Sequence, residues 1–154
     1  MQMFSLDEIV SSVGGQLIIG SDYKMPDTLY ISGVSKDTRT INPGELYVAL
    51  VGENFDGHSF CNMALDKGAA VLLVSDASFL PTNCLAVLVE DTKVALGQLA
   101  KSYRFKLAQN GTKVVAVTGS VGKTSTREMI AAGLSKSLKV YSTKANLNNE
   151  IGLP

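Results

Sequence analysis

The chain has 154 residues, 45% of them hydrophobic, with 14 Lys plus Arg balancing 14 Asp plus Glu. That size and apolar content suit one ordinary domain or two small ones with a core. Zero net charge excludes a broad positive field for gathering nucleic acid or an anionic membrane, so any phosphate binding has to be local. No apolar run approaches the roughly 18 to 20 residues that cross a bilayer, and the amino end lacks a basic-then-apolar leader pattern, so a cytoplasmic protein without membrane insertion is expected.

In chain order, Ser5 followed by Glu8 reads as a capping box, and Leu6, Ile9, Val10 and Val13 form one apolar helix face before Gly14. Apolar, β-branched runs at 16–19, 46–51, 70–74 and 86–89 predict strands, with turn residues such as Asn42-Pro43-Gly44 between them. Ser59 to Lys67 predicts a helix that stops at Gly68, directly before the third of these strands. Asp91 is placed to cap a long helix over Thr92 to Gln109, which Asn110-Gly111 ends. Lys101, Arg104 and Lys106 on that helix read as a solvated face. The fold class expected is α/β: a small first domain over 1–90, then a connector helix and the opening of a second domain over 91–154. Cys61 and Cys84 lie far apart without CxxC or Cys/His spacing, so both are expected to be buried thiols.

Lys113 to Thr118 predicts a buried strand, Gly119-Ser120-Val121-Gly122-Lys123-Thr124-Ser125 follows at once, and a helical pattern runs on through Met129, Ile130 and Leu134. Strand, glycine loop and helix in this order make a phosphate site. Glycines let backbone N–H groups approach the anion, the helix amino end adds partial positive charge, Lys123 reaches the terminal phosphates, and Thr124 holds Mg2+. Val117 stands where the full phosphate-loop pattern has its first glycine. The alternative is a plain strand-to-helix turn with Lys123 as a solvated charge, which the flanking order disfavours.

The segment VVAVTGSVGKTSTREMI resembles the ATP loop of the Mur ligase family, whose version also lacks the first glycine. Further on, Asn146-Leu-Asn148-Asn149-Glu-Ile-Gly152-Leu-Pro154 is similar to an N-x-N-N-x-x-G-x-P signature of one branch of that family. Upstream, Ser35-Lys-Asp37-Thr38-Arg39, Pro43 to Ala49, and Gly52 through Asp56-Gly57-His58-Ser-Phe60 resemble the family's amino-terminal UDP-binding domain, with Thr38 where a Ser is common.

The resemblance implies an ATP- and Mg2+-dependent, ADP-forming ligase. That branch joins D-alanyl-D-alanine to UDP-N-acetylmuramoyl-tripeptide during peptidoglycan synthesis. It also implies that Asp37, Thr38, Arg39, Asp56 and His58 lie on or near the uridine-nucleotide site, and that Asn148 and Asn149 face the muramoyl-peptide. Lys123 would be catalytic, and residues 119–125 would bind ATP.

Residue chemistry alone leaves several of these open. Arg39 offers a planar fork to a diphosphate and Asp37 could hold a ribose hydroxyl, yet the two could equally form a surface ion pair worth about 0–1 kcal/mol. His58, the only histidine, excludes a multi-histidine metal site and by itself reads as a turn residue at the start of a helix. Asn148-Asn149 by itself reads as a polar turn.

The family's downstream magnesium-binding acid, modified lysine and carboxyl-terminal domain have no counterpart in this sequence. Taken alone, the chain is therefore expected not to catalyse ligation. The exposed edge of the incomplete sheet of its second part is expected to favour self-association or partial disorder near the end. The competing functions are a sibling ligase, a non-catalytic UDP-sugar-binding module, and an unrelated phosphate-loop switch protein.

Overall fold

A computed structural model describes residues 3–143. These fall into two compact units that divide between Arg104 and Phe105.

The first unit opens with α1, Leu6–Val13. Its capping box forms as expected: Ser5 Oγ accepts from the Glu8 backbone N–H at 3.2 Å, and the Glu8 carboxylate accepts from the Ser5 N–H at 2.8 Å. Two otherwise orphaned donors at the helix start are thereby satisfied. Strands follow at β1 (Gln16–Ile19), β2 (Val34–Ser35), β3 (Leu46–Val48), β4 (Val71–Val74) and β5 (Leu85–Leu88). They build one five-stranded sheet in the order β1-β5-β4-β3-β2. Only β1 is antiparallel, against β5, and the other ladders are parallel.

Parallel sheets are covered on both faces, so their strands read as unbroken apolar runs. Every residue of β4 is buried. Successive side chains alternate between faces. Tyr47, Leu72, Val74 and Ala86 join one core cluster with Cys61 and Ala64 of α2, Cys61–Asp66. Leu46, Val48, Leu73, Leu85 and Val87 point the other way and are equally buried. Ile9 and Val13 of α1 and Ala95, Leu96 and Leu99 of α3, Thr92–Gln109, are buried as well. α1 and α3 are tied by Ser12 Oγ donating to Ser102 Oγ at 2.9 Å, and Phe4 meets Tyr103 with ring centroids 5.6 Å apart. Asp91 caps α3 as expected, its Oδ1 accepting from the N–H groups of Lys93 and Val94 at 2.7 and 3.0 Å.

Strand β3 stops earlier than its apolar run predicts. After Val48 the chain enters a tight hairpin: the Gly52 N–H donates to the Phe55 carbonyl and the Gly57 N–H to Leu50, each at 2.9 Å. A Cβ on Gly57 would sit 2.7 Å from the Leu50 carbonyl oxygen, so only glycine permits this approach. A short 3-10 turn, Gly57–Phe60, then leads into α2. The predicted helix over 59–67 is thus a 3-10 turn running into an α-helix. Both cysteines are buried free thiols, as expected, and burial pushes the Cys61 thiol up to about 11.

In the second unit α3 ends at Gln109 and α4 spans Lys123–Leu134. The expected buried strand at 113–118 is not one. Val114 and Val115 are exposed and the run forms no ladder. A central strand acquires both burial and hydrogen bonds from neighbours, and none of the described residues supplies them. Leu138 to Tyr141 is likewise outside any ladder.

Tyr47, 2% exposed, donates its hydroxyl to the buried Gly57 carbonyl at 3.0 Å and so fixes the hairpin to the sheet. Tyr47→Phe strips that carbonyl of its partner and is expected to cost about 1–3 kcal/mol. Urea denaturation should show a lower midpoint at unchanged slope.

Candidate functional site

Because β2, β3, β4 and β5 run parallel, their carboxyl ends share one edge of the sheet. Ligands of open α/β sheets bind outside that edge. The segment after β2 carries Asp37, Thr38 and Arg39, that after β3 carries Asp56 and His58, and that after β4 carries Ser75 to Phe79. The two sequence-predicted clusters are therefore brought to one edge. The phenol of Tyr47 feels both the Asp37 and Asp56 carboxylates, and burial above all raises it to about 12.

Asp37 and Arg39 form a fork. Oδ1 of Asp37 accepts from the Arg39 backbone N–H and from Nε, both at 2.9 Å, while Oδ2 accepts from Nη2 at 2.6 Å. The Arg39 hydrogen bonds hold the Asp37 carboxyl down at about 2, and the carboxylate raises the guanidinium in return. The guanidinium is largely exposed, at 86% of its side chain. The pair is thus solvent-screened and adds little stability, but it presents a charged fork at the edge. Thr38 between them is buried, so its side chain faces the fold and not the surface.

The His58 ring is 2% exposed. Nδ1 lies 2.6 Å from Asp56 Oδ1, and Nε2 lies 2.9 Å from the Ser75 backbone nitrogen. A backbone N–H can only donate, so Nε2 accepts and the network assigns the ring hydrogen to Nδ1. Asp56 Oδ1 also accepts the His58 backbone N–H at 2.9 Å. This backbone bond first, then the ring, lowers the Asp56 carboxyl. Phe79 packs against the ring with centroids 5.6 Å apart. The turn-residue reading of His58 is half the picture: Asp56 caps the 3-10 turn, while the ring reaches across to the end of β4.

The phosphate loop belongs to the second unit. Gly119 and Gly122 have φ of +148° and +78°, values that favour glycine. Gly122 is the N-cap of α4 and provides no side-chain cap, so no cap side chain competes for the N–H groups of the first helical turn, the kind of donor set that can receive an anion. Lys123 Nζ folds back to donate to the carbonyls of Gly119 and Ser120. Ser120, Thr124 and Ser125 are exposed, and Val121 is 87% exposed. Among the described residues no group of three or more His, Cys, Asp or Glu could hold a metal. The Thr124 hydroxyl suits Mg2+ only as one ligand beside phosphate oxygens, the usual mode for this ion. Asn148 and Asn149 lie outside the described residues.

Sequence reasoning missed Ser75, Asp76 and Phe79. Asp76 Oδ1 accepts the Ser78 N–H at 2.8 Å and so caps a second 3-10 turn, Ala77–Phe79. The one available signal was an Asp two residues before a Ser at the end of an apolar run.

Residues 30–104 match the description "Mur ligase family, catalytic domain" and residues 117–154 match "Mur ligase middle domain". The UDP-N-acetylmuramoyl-tripeptide--D-alanyl-D-alanine ligase of Bacillus subtilis (strain 168) is 48% identical over 125 residues, covering 80% of this chain and 27% of that protein. The ligase of the same name from Escherichia coli (strain K12) is 41% identical over 150 residues, covering 97% of this chain and 30% of its own length. A crystal structure of MurF from Acinetobacter baumannii superposes with a TM-score of 0.83 at 33% identity, over 97% of this chain and 31% of that one. MurF from Thermotoga maritima, in complex with ADP, gives 0.69 at 34% identity, over 84% of this chain and 29% of that one. The chain thus spans 27–30% of the length of these curated relatives. With two family descriptions matched in order along it, and with a mixed α/β fold shared with solved members, the chain belongs to the Mur ligase family.

Proposed function

We propose that the chain carries the nucleotide-sugar edge and the ATP loop of an ATP-dependent, ADP-forming ligase. This ligase joins D-alanyl-D-alanine to UDP-N-acetylmuramoyl-tripeptide in cytoplasmic peptidoglycan precursor synthesis. The observation that carries the reading is that both candidate sites lie within one stretch 41% identical to the E. coli ligase of that name. In this reading residues 1–90 are the substrate-binding domain, and 91–154 are the connector helix and the first part of the ATP-binding domain.

ATP phosphorylates the terminal carboxylate of the tripeptide and leaves as ADP; the amine of D-alanyl-D-alanine then attacks the acyl phosphate, whose acyl C–O bond breaks to release inorganic phosphate. The part of this chain in that chemistry is positioning and charge neutralisation. Backbone N–H groups of 119–125 cradle the phosphates. Lys123 would exchange the Gly119 and Ser120 carbonyls for the γ-phosphoryl oxygens, and the Thr124 hydroxyl would help hold Mg2+, which would supply neutralisation of phosphate charge. At the sheet edge Arg39 faces the diphosphate, with Asp37 holding its fork in plane, while Asp56 accepts from the nucleoside. The family resemblance assigns Asn148 and Asn149 to the muramoyl-peptide.

Calorimetric titration with UDP-N-acetylmuramoyl-tripeptide, UDP and magnesium-ATP tests the reading. Sugar-peptide binding tighter than UDP is the expected result. ATP binding with no uridine affinity would leave only a phosphate-loop protein, and uridine binding with no ATP affinity would leave a UDP-sugar module. Lys123→Ala is expected to weaken ATP roughly 10- to 150-fold, the worth of one hydrogen bond from a charged donor, and to leave UDP affinity unchanged.

The Asp37–Arg39 fork makes a pH prediction. Its folded-state carboxyl is depressed to about 2 from an ordinary 3.8. The stabilisation is therefore present above the ordinary value and lost as pH falls toward 2. Carboxyl 13C NMR should place the Asp37 midpoint near that lower value, and Arg39→Ala should return it toward the ordinary one.

A further inference from the structure

Both nitrogens of the His58 ring are engaged inside the protein, by Asp56 on one side and Ser75 on the other, and the ring is buried under Phe79. A ring so occupied has no atom left for a ligand. Its neighbour differs. The Asp56 side chain is 41% exposed, and the hydrogen bonds from His58 all fall on Oδ1. Oδ2 is left to accept from outside.

We propose that His58 is a positioning residue that acts through Asp56. Its Nδ1–H fixes the carboxylate at the carboxyl edge of the sheet, with Oδ2 presented to a hydroxyl or N–H donor of a nucleoside. Its Nε2, accepting from Ser75, anchors the hairpin after β3 to the end of β4. This rests on the reading that the edge receives a uridine nucleotide.

The physical case is preorganisation. A carboxylate on a hairpin would otherwise sample several rotamers, and ordering it on binding opposes affinity. Here the segment is held at successive residues. Asp56 is held by two donors from His58, and Gly57 by its own N–H to Leu50 and by the Tyr47 hydroxyl on its carbonyl. His58 is held by the Ser75 N–H, 17 residues away. A buried imidazole suits this place because it donates at one nitrogen and accepts at the other in a fixed plane. Such support behind a ligand-facing group is what holds a site within a fraction of an ångström.

Two amide variants of the full chain separate the two ties. Asn places an amide donor near the Nδ1 position and keeps the hold on Asp56; Gln reaches the Nε2 position and keeps the Ser75 bond but not the other. Calorimetry with UDP should find His58→Asn within about threefold of the unsubstituted chain and His58→Gln weaker by about tenfold, the scale of one hydrogen bond to a charged group. Combined with Asp56→Asn, His58→Gln should add no further loss, because the carboxylate it served is gone. A merely structural histidine would move both amide variants alike, whatever their thermal stability. UDP affinity lost equally in both, or losses from His58→Gln and Asp56→Asn that simply add, overturns the proposal.

15N NMR of the imidazole gives a readout independent of folding losses. A protonated Nδ1 with bare Nε2 is expected, and the opposite tautomer overturns the positioning role even where UDP binds. An unsubstituted chain without UDP affinity overturns the proposed uridine site itself, and the role of His58 with it.

Discussion

A parallel ladder forces the carboxyl ends of neighbouring strands to the same edge, and the first unit depends on that constraint. The registers Val34 to Leu46, Leu46 to Val71 and Leu72 to Ala86 place the exits of four strands side by side. Each exit carries a polar turn: Ser35 to Thr40, Gly52 to His58, Ser75 to Phe79, and Asp91 ahead of α3. The apolar strands below are buried on both faces, so the polar groups have nowhere to go but the ends. A surface able to meet a nucleotide is therefore a by-product of how this sheet is covered.

The turns are then secured to one another by few but directional bonds. Thr92 donates to the Ala49 carbonyl at 2.8 Å, Tyr47 to Gly57, and Ser75 to His58. The Ser75 bond joins the exits of the neighbouring strands β3 and β4, and the Thr92 bond reaches from the exit of β5 past β4 to that of β3. Buried polar groups left unpaired are costly, and among the described residues no buried side-chain nitrogen or oxygen lacks a partner. The edge is thus rigid beneath and charged above.

The second unit solves its problem differently. None of its described residues is buried, and the proposed phosphate loop would need little side-chain chemistry beyond Lys123 and Thr124. The groups it would offer an anion are backbone N–H donors, at left-handed glycines and at a helix start without a side-chain cap. This also reconciles the chain's zero net charge with an anion site, because a helix amino end and one lysine act over a few ångströms where a general positive field would act over tens.

The sequence by itself determined what depends on near neighbours: the Ser5 and Asp91 caps, strand β1, most of β4 and β5, the turn at Asn110-Gly111, and the loop and helix at Gly119 to Leu134. These features rest on backbone propensity, caps at fixed offsets and glycine stereochemistry, all readable within a few residues. Family resemblance added the interest in Asp37, Arg39, Asp56 and His58. Tertiary structure alone decided the strand order, and it revealed the two-residue β2, too short for any periodicity. It left the apolar run at 113–118 exposed, because a strand of that kind is completed by neighbours and not by its own composition. It also buried Thr38 and His58 and brought Ser75, Asp76 and Phe79 to His58. The physical reason is common to these cases: the partner of each group lies on another element, and the ladder register, which no local pattern encodes, sets which elements meet.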